Sequence, residues 1–132
     1  MEKEESKFRV ALIAHDTKKV DILAFASKNI DILKKCSLIA TKATGCLINS
    51  KTDLEVKEMM SGPEGGDLQI GGLVASEEID LVIFLRDPLA KQPHDPDIAA
   101  LMKVCDVHDI PLATNLSSAE ILLKGAAKNL CQ

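Results

Sequence analysis

Short aliphatic or β-branched runs alternate along this chain with longer stretches whose apolar residues return at helical spacing. The runs predict strands at Arg9–Ala14, Ser37–Thr41, Glu55–Met59, Asp80–Leu85 and Pro111–Thr114. Val10 to Ala14 and Leu81 to Leu85 are apolar without alternation. Such strands are buried on both faces, as central parallel strands are. The less regular Glu55–Met59 reads as an edge. Between the strands, helices are predicted over Lys18–Leu33 (with room for a break), Thr44–Lys51, Asp67–Glu77, Pro96–Val107 and Ala119–Leu130. Asp95 followed by Pro96 is a helix start by chemistry: the carboxylate accepts orphan amide protons, and Pro in the first turn loses no hydrogen bond. Five strand-then-helix units require right-handed crossovers between parallel neighbours. The expected fold is α/β, a three-layer α/β/α sandwich around a five-stranded, mostly parallel, doubly wound sheet.

Length and composition narrow this further. The 132 residues, 46% hydrophobic and 27% charged with net charge −4, suit one domain that buries a core. Residues 9–132 are expected to form it, after a flexible, charged segment at 1–8 that lacks the apolar centre of a secretion signal. The longest stretch free of Asp, Glu, Lys and Arg, Ile110 to Ala119, is about half of the ~20 apolar residues a membrane span needs. Three Phe with no Tyr or Trp, and a pI near 5.3, argue against a nucleic-acid surface. Cys36, Cys46, Cys105 and Cys131 form no close pair, which fits neither zinc nor a redox CxxC motif. They read as reduced thiols of a cytoplasmic protein.

Ligands of an open α/β sheet bind outside the carboxyl ends of the strands, where helix N-termini point their amides. The segments expected there hold most of the unusual polar residues: His15-Asp16-Thr17-Lys18-Lys19, Thr41-Lys42-Ala43-Thr44-Gly45, Ser61 to Asp67, Arg86-Asp87-Pro88, Pro93 to Asp97, and Thr114-Asn115. Thr41–Gly45 and Ser61–Gly66 combine hydroxyls, amides and glycines just ahead of helices, which suits a phosphate, and Lys19 is placed to balance its charge. Neither GxxxxGK[ST] nor GxGxxG occurs, so a phosphate on a small molecule fits better than a nucleotide. Asp16, Asp67, Asp87, Asp97, His15 and His94 exceed what phosphate binding needs. Carboxylates and imidazoles beside a phosphate point to proton abstraction next to a carbonyl. Against this stand plainer roles: helix caps at Asp16, Asp67 and Asp95, a dipole partner at Asp97, and a surface position for His108. Gly71-Gly72 within a helix suggests close packing against another element or subunit.

Ala14-His15-Asp16, Ser61-Gly62-Pro63 with Gly65-Gly66-Asp67, Asp87-Pro88-Leu89, Pro93-His94-Asp95-Pro96-Asp97 and Pro111 to Asn115 together closely resemble methylglyoxal synthase, in unbroken order from about Arg9 to about Leu123. The resemblance implies a lyase that converts dihydroxyacetone phosphate to methylglyoxal and inorganic phosphate, without metal or organic cofactor, as a homohexamer. Carried over by motif, Asp67 is the base, His94 shuttles protons between substrate oxygens, Asp97 and Asp16 shape the acid-base network, and His15 sits near the substrate's polar end. Lys19, Thr41, Thr44, Ser61 and Gly62 hold the phosphate. The same domain type also serves as an allosteric, phosphate-ligand module in carbamoyl-phosphate synthetase. A non-catalytic binding module is therefore the alternative reading.

The chain departs from that family pattern in places. Thr41-Lys42-Ala43-Thr44-Gly45 replaces the usual Thr-Gly-Thr-Thr-Gly, which removes one hydroxyl at Ala43 and predicts weaker phosphate binding unless Lys42 compensates. Leu68 stands where Gln is usual. The chain stops at Gln132, ahead of a segment that in some members lends an Arg to a neighbouring subunit, and Arg9 and Arg86 are its only arginines. Lower phosphate affinity is the expected consequence if that Arg matters.

Overall fold

The computed structural model describes residues 7–91 and 95–130, with side chains through Lys128. In chain order the elements are β1 (Phe8–Ala14), a 3-10 turn (Asp16–Lys18), α1 (Lys19–Lys28), α2 (Ile30–Leu33), β2 (Cys36–Ala40), α3 (Lys42–Lys51) and β3 (Val56–Glu58). A second 3-10 turn (Gly62–Glu64), α4 (Gly66–Ala75), β4 (Leu81–Leu85), α5 (Asp95–Val107), β5 (Leu112–Ala113) and α6 (Leu116–Leu130) follow. The strands pair in the order β3-β2-β1-β4-β5, and every pairing is parallel. β3 is an edge, as its irregular pattern predicts.

β1 shows why the sheet has two cores. Val10, Leu12 and Ala14 pack on one face with Ile22 and Phe25 of α1, Ile48 of α3 and Leu123 of α6. Ala11 and Ile13 pack on the other with Ile70 and Val74 of α4 and Ile98 and Leu101 of α5. A strand turns successive side chains to opposite faces, so an all-apolar run demands helices on both. Burial also pushes the Cys36 and Cys105 thiols up to about 11, which makes them poor nucleophiles.

Several element boundaries differ from the sequence pattern for identifiable reasons. The helix expected over Lys18–Leu33 breaks at the buried Asn29, whose side-chain amide donates to the Phe25 carbonyl at 2.9 Å. α6 starts at Leu116 and not at Ala119, because the Asn115 side chain accepts the Ser118 amide at 3.0 Å and so acts as its cap. α3 starts at Lys42 behind an extended Thr41. The three-residue β3 is supported from α3: Asn49 donates to the Val56 carbonyl at 2.9 Å and accepts the Val56 amide at 2.8 Å. Among the described residues, no helix is long and apolar enough to cross a membrane.

Candidate functional site

Strand order reverses beside β1: β2 and β3 lie to one side of it, β4 and β5 to the other. Loops leaving β1 and β4 therefore diverge, and a crevice opens at their carboxyl ends. A cleft of about 210 Å³ lies at this end of the sheet, lined by Ile13 to Asp16, Lys19, Thr41, Ala43, Ser61, Gly62, Pro63 and Asp67. Seven of the expected site residues meet there: His15, Asp16, Lys19, Thr41, Ser61, Gly62 and Asp67.

Each reaches the cleft for a local reason. The His15 amide donates to the Leu85 carbonyl at 3.1 Å, extending the β1–β4 ladder one residue past the strand and burying the imidazole, which meets Phe84 edge-on with centroids 5.2 Å apart. Lys19, in the first turn of α1, folds back so that its Nζ donates to the Ala14 carbonyl at 2.5 Å and lies 3.5 Å from the Asp16 carboxylate. Thr41 has extended backbone angles just ahead of α3, and Ser61 has them just ahead of the second 3-10 turn. Each stands at the N-cap of its helical turn and lines the cleft, with no cap hydrogen bond to its hydroxyl. That arrangement of donors suits an anion.

The second glycine-rich turn sets the position of Asp67. Gly65 has φ +108°, a left-handed conformation that favours glycine, and a Cβ on Gly66 would lie 2.0 Å from the Met60 carbonyl oxygen. With Gly66 that close, its amide donates to the Ser61 carbonyl at 2.7 Å, and α4 begins so that its second residue, Asp67, is fully buried at the cleft wall. Asp67 is thus not the helix cap, a position Gly65 holds. Asp16 caps nothing either; it opens its 3-10 turn with its side chain in solvent.

Not every expected residue joins them. Thr44 is fully buried in α3, its hydroxyl has no hydrogen-bond partner among the described residues, and it does not line the cleft. Asp97 lies half-buried in the first turn of α5, also outside the lining. His94 falls outside the described residues. Ala43 does line the cleft, so the lost hydroxyl is lost at the site itself, whereas Lys42 is exposed and outside the lining. Leu68 is half exposed, and its neighbour Gln69 does the structural work, accepting the Met60 amide at 2.7 Å. Among the described residues of the chain, no other element packs tightly on the Gly71-Gly72 pair. A Cβ at Gly71 would make ordinary contact with Leu101 of α5, and at Gly72 it would meet open space.

Asp87, noticed in the sequence but not assigned to the site, touches it directly. Its amide donates to His15 Nδ1 at 2.8 Å, and its carboxylate accepts the Thr17 hydroxyl at 2.7 Å and the Leu89 amide at 3.0 Å. The Thr17 bond, then the Leu89 amide, hold the Asp87 carboxyl below its ordinary range. Its sequence signals were its place among the rim carboxylates and an Asp-Pro pair just past a buried strand.

The MGS-like domain family matches residues 21–114. Methylglyoxal synthase of Thermoanaerobacterium thermosaccharolyticum is 55% identical over 123 residues, 93% of this chain and 92% of that protein. The chain belongs to the methylglyoxal synthase family. Methylglyoxal synthase of Burkholderia cenocepacia (strain HI2424) is 53% identical over 125 residues, 95% of this chain and 96% of that protein. The crystal structure of methylglyoxal synthase from Elizabethkingia anophelis NUHP1 superposes with TM-score 0.84 at 44% identity, covering 89% of this chain and 77% of that one. The family's three-layer α/β/α fold is the one found here.

Proposed function

We infer that this protein is a carbon–oxygen lyase that converts dihydroxyacetone phosphate into methylglyoxal and inorganic phosphate. The observation that carries this reading is Asp67, a fully buried carboxylate in the wall of a cleft otherwise lined for an anion by Lys19, Thr41, Ser61 and Gly62. Holding a phosphate ester does not require a carboxylate out of water beside it; removing a carbon-bound proton does. A purely regulatory phosphate module would need the cradle but not Asp67.

In this reading the phosphate rests on the Thr41 and Ser61 hydroxyls and the Gly62 amide, with Lys19 balancing its charge and Thr44 backing the α3 turn from within. Asp67 takes the C3 proton and an ene-diolate forms. His15 donates to a substrate oxygen, His94 moves protons between the oxygens, and Asp16 and Asp97 shape the surrounding charge. The C–O bond to phosphate then breaks, the bonding pair leaves with phosphate, and the enol that remains ketonises to methylglyoxal. Expulsion competes with reprotonation, and it wins only when the C–O bond stands out of the ene-diolate plane. The phosphate grip sets that torsion. The chemistry is complete with acid and base groups, without metal or organic cofactor.

Residues 9–132 act as one domain in this reading, and the protein works in the cytoplasm, where Cys36, Cys46 and Cys105 stay reduced. Similarity to the family supports a homohexamer, which light scattering after gel filtration measures directly. The deciding assay follows methylglyoxal and phosphate from dihydroxyacetone phosphate. Equal amounts of both are expected, with turnover falling by roughly 10²–10⁴-fold in Asp67→Asn. A folded Asp67→Asn protein with unimpaired turnover would sink the assignment.

A further inference from the structure

We propose that a clamp built from Thr17, Asp87 and Leu89 locks His15 as the neutral tautomer protonated on Nε2, so that this imidazole serves the cleft only as a hydrogen-bond donor. The lock is the Asp87 amide, 2.8 Å from His15 Nδ1. An N–H group can only donate, so Nδ1 must be the unprotonated, accepting nitrogen. A flipped ring would put carbon Cδ2 where Nδ1 lies, too near the amide nitrogen for a carbon. An imidazolium, or the Nδ1–H tautomer, would force two hydrogens into the same 2.8 Å gap.

The amide is itself held in place. Asp87 is pinned through both carboxylate oxygens, by the Thr17 hydroxyl at 2.7 Å and by the Leu89 amide at 3.0 Å. The imidazole is held by its backbone bond to Leu85, by the edge-on contact with Phe84 and by burial to 6% exposure. Among the described residues, Asp16, Lys19 and Asp67 line one cleft with it, and Arg86, Asp87, Lys91 and Asp95 line the other. The carboxylates favour a charged ring and the three cations oppose it. Contact decides between them, because the Asp87 amide occupies the Nδ1 position.

The donor role rests on the lyase reading; the lock does not, and it is measured without substrate. Long-range ¹H–¹⁵N spectra of the full-length protein carrying ¹⁵N-histidine, with the His15 signals assigned from His15→Gln, report the tautomer. The expected result is Nε2–H at pH 7. An Nδ1–H tautomer, or an imidazolium at pH 7, overturns the proposal. Thr17 is exposed, so Thr17→Val leaves the fold intact and tests the clamp. Loss of a supporting partner should mix the His15 tautomers and lower kcat about tenfold with KM little changed. Thr17→Ser should restore both. A Thr17→Val protein with wild-type spectra and wild-type kcat removes Thr17 from the clamp and overturns it as stated. An inactive wild-type protein that still shows the Nε2–H tautomer would tell against the lyase reading and leave the lock standing.

Discussion

At the scale of single residues, the cleft shows a phosphate cradle with one part changed. Thr41 and Ser61 keep their hydroxyls at the wall, while Ala43 faces the same space with only a methyl group. Lys42 does not make up the difference, since it is exposed and outside the lining. Restoring the hydroxyl with Ala43→Thr should therefore strengthen inhibition by inorganic phosphate about tenfold, the effect of one hydrogen bond to a charged group. An inhibition constant unchanged within twofold would show that residue 43 does not meet the phosphate. The residue types were legible in the sequence, because Asp, His, Ser, Thr and Lys at loop ends have few structural reasons to gather there. The burial of Asp67 was not. Whether an Asp near a helix start caps it or enters a cleft depends on where the helix begins, and that was set by the close approach of Gly66 to Met60.

At the scale of elements, the glycines divide sharply. Gly66→Ala would drive a methyl group into the Met60 carbonyl and displace the start of α4. It should cost about 2–3 kcal/mol in denaturant unfolding and carry activity down with it. Gly72→Ala sits within α4 with open space around the added carbon, and it should stabilise the protein by about 0.5–1 kcal/mol. The opposite order of the two variants would refute this account of α4. In the sequence, glycines in a turn and glycines in a helix look alike. A positive φ at Gly65 and a backbone contact at Gly66 are products of the fold, and no other described element of the chain packs as tightly on Gly71-Gly72. Helix starts were legible to within a few residues, and the misses trace to polar caps. Asn115 begins α6 one turn before the apolar repeat becomes evident.

At the scale of the whole molecule, β1 and β4 are joined at their amino ends by Arg9 and Asp80. Arg9 donates through its backbone amide and Nε to one carboxylate oxygen, at 2.9 Å each, and through a terminal guanidinium nitrogen to the other at 3.0 Å. The Arg9 side chain, then its backbone amide, hold the Asp80 carboxyl below its ordinary range. A carboxyl depressed in the folded state adds stability above pH ~4 and loses it as pH falls through its folded value. Both side chains are about a third exposed, at 36% and 33%, so solvent screening limits Asp80→Asn to roughly 1 kcal/mol of destabilisation at pH 7. The gap between wild type and Asp80→Asn should narrow steadily below pH ~4. A gap independent of pH from 7 to 3 would show that the charge is not what joins the strands.

The strand-helix rhythm and two wholly apolar strands were enough to determine a doubly wound parallel sheet, because apolar runs without alternation can be buried only between two helical layers. The kinds of chemistry at one rim also followed from sequence, since loop polarity does not depend on packing. Only the tertiary structure decided which rim residues meet. The strand order reverses beside β1, which brings His15, Thr41, Ser61 and Asp67, residues that follow three different strands, to one cleft and leaves Asp97 and Thr44 outside it. It also joined the backbone of Asp87 to His15, 72 positions apart, through a main-chain amide that every residue but proline carries and no sequence pattern can single out.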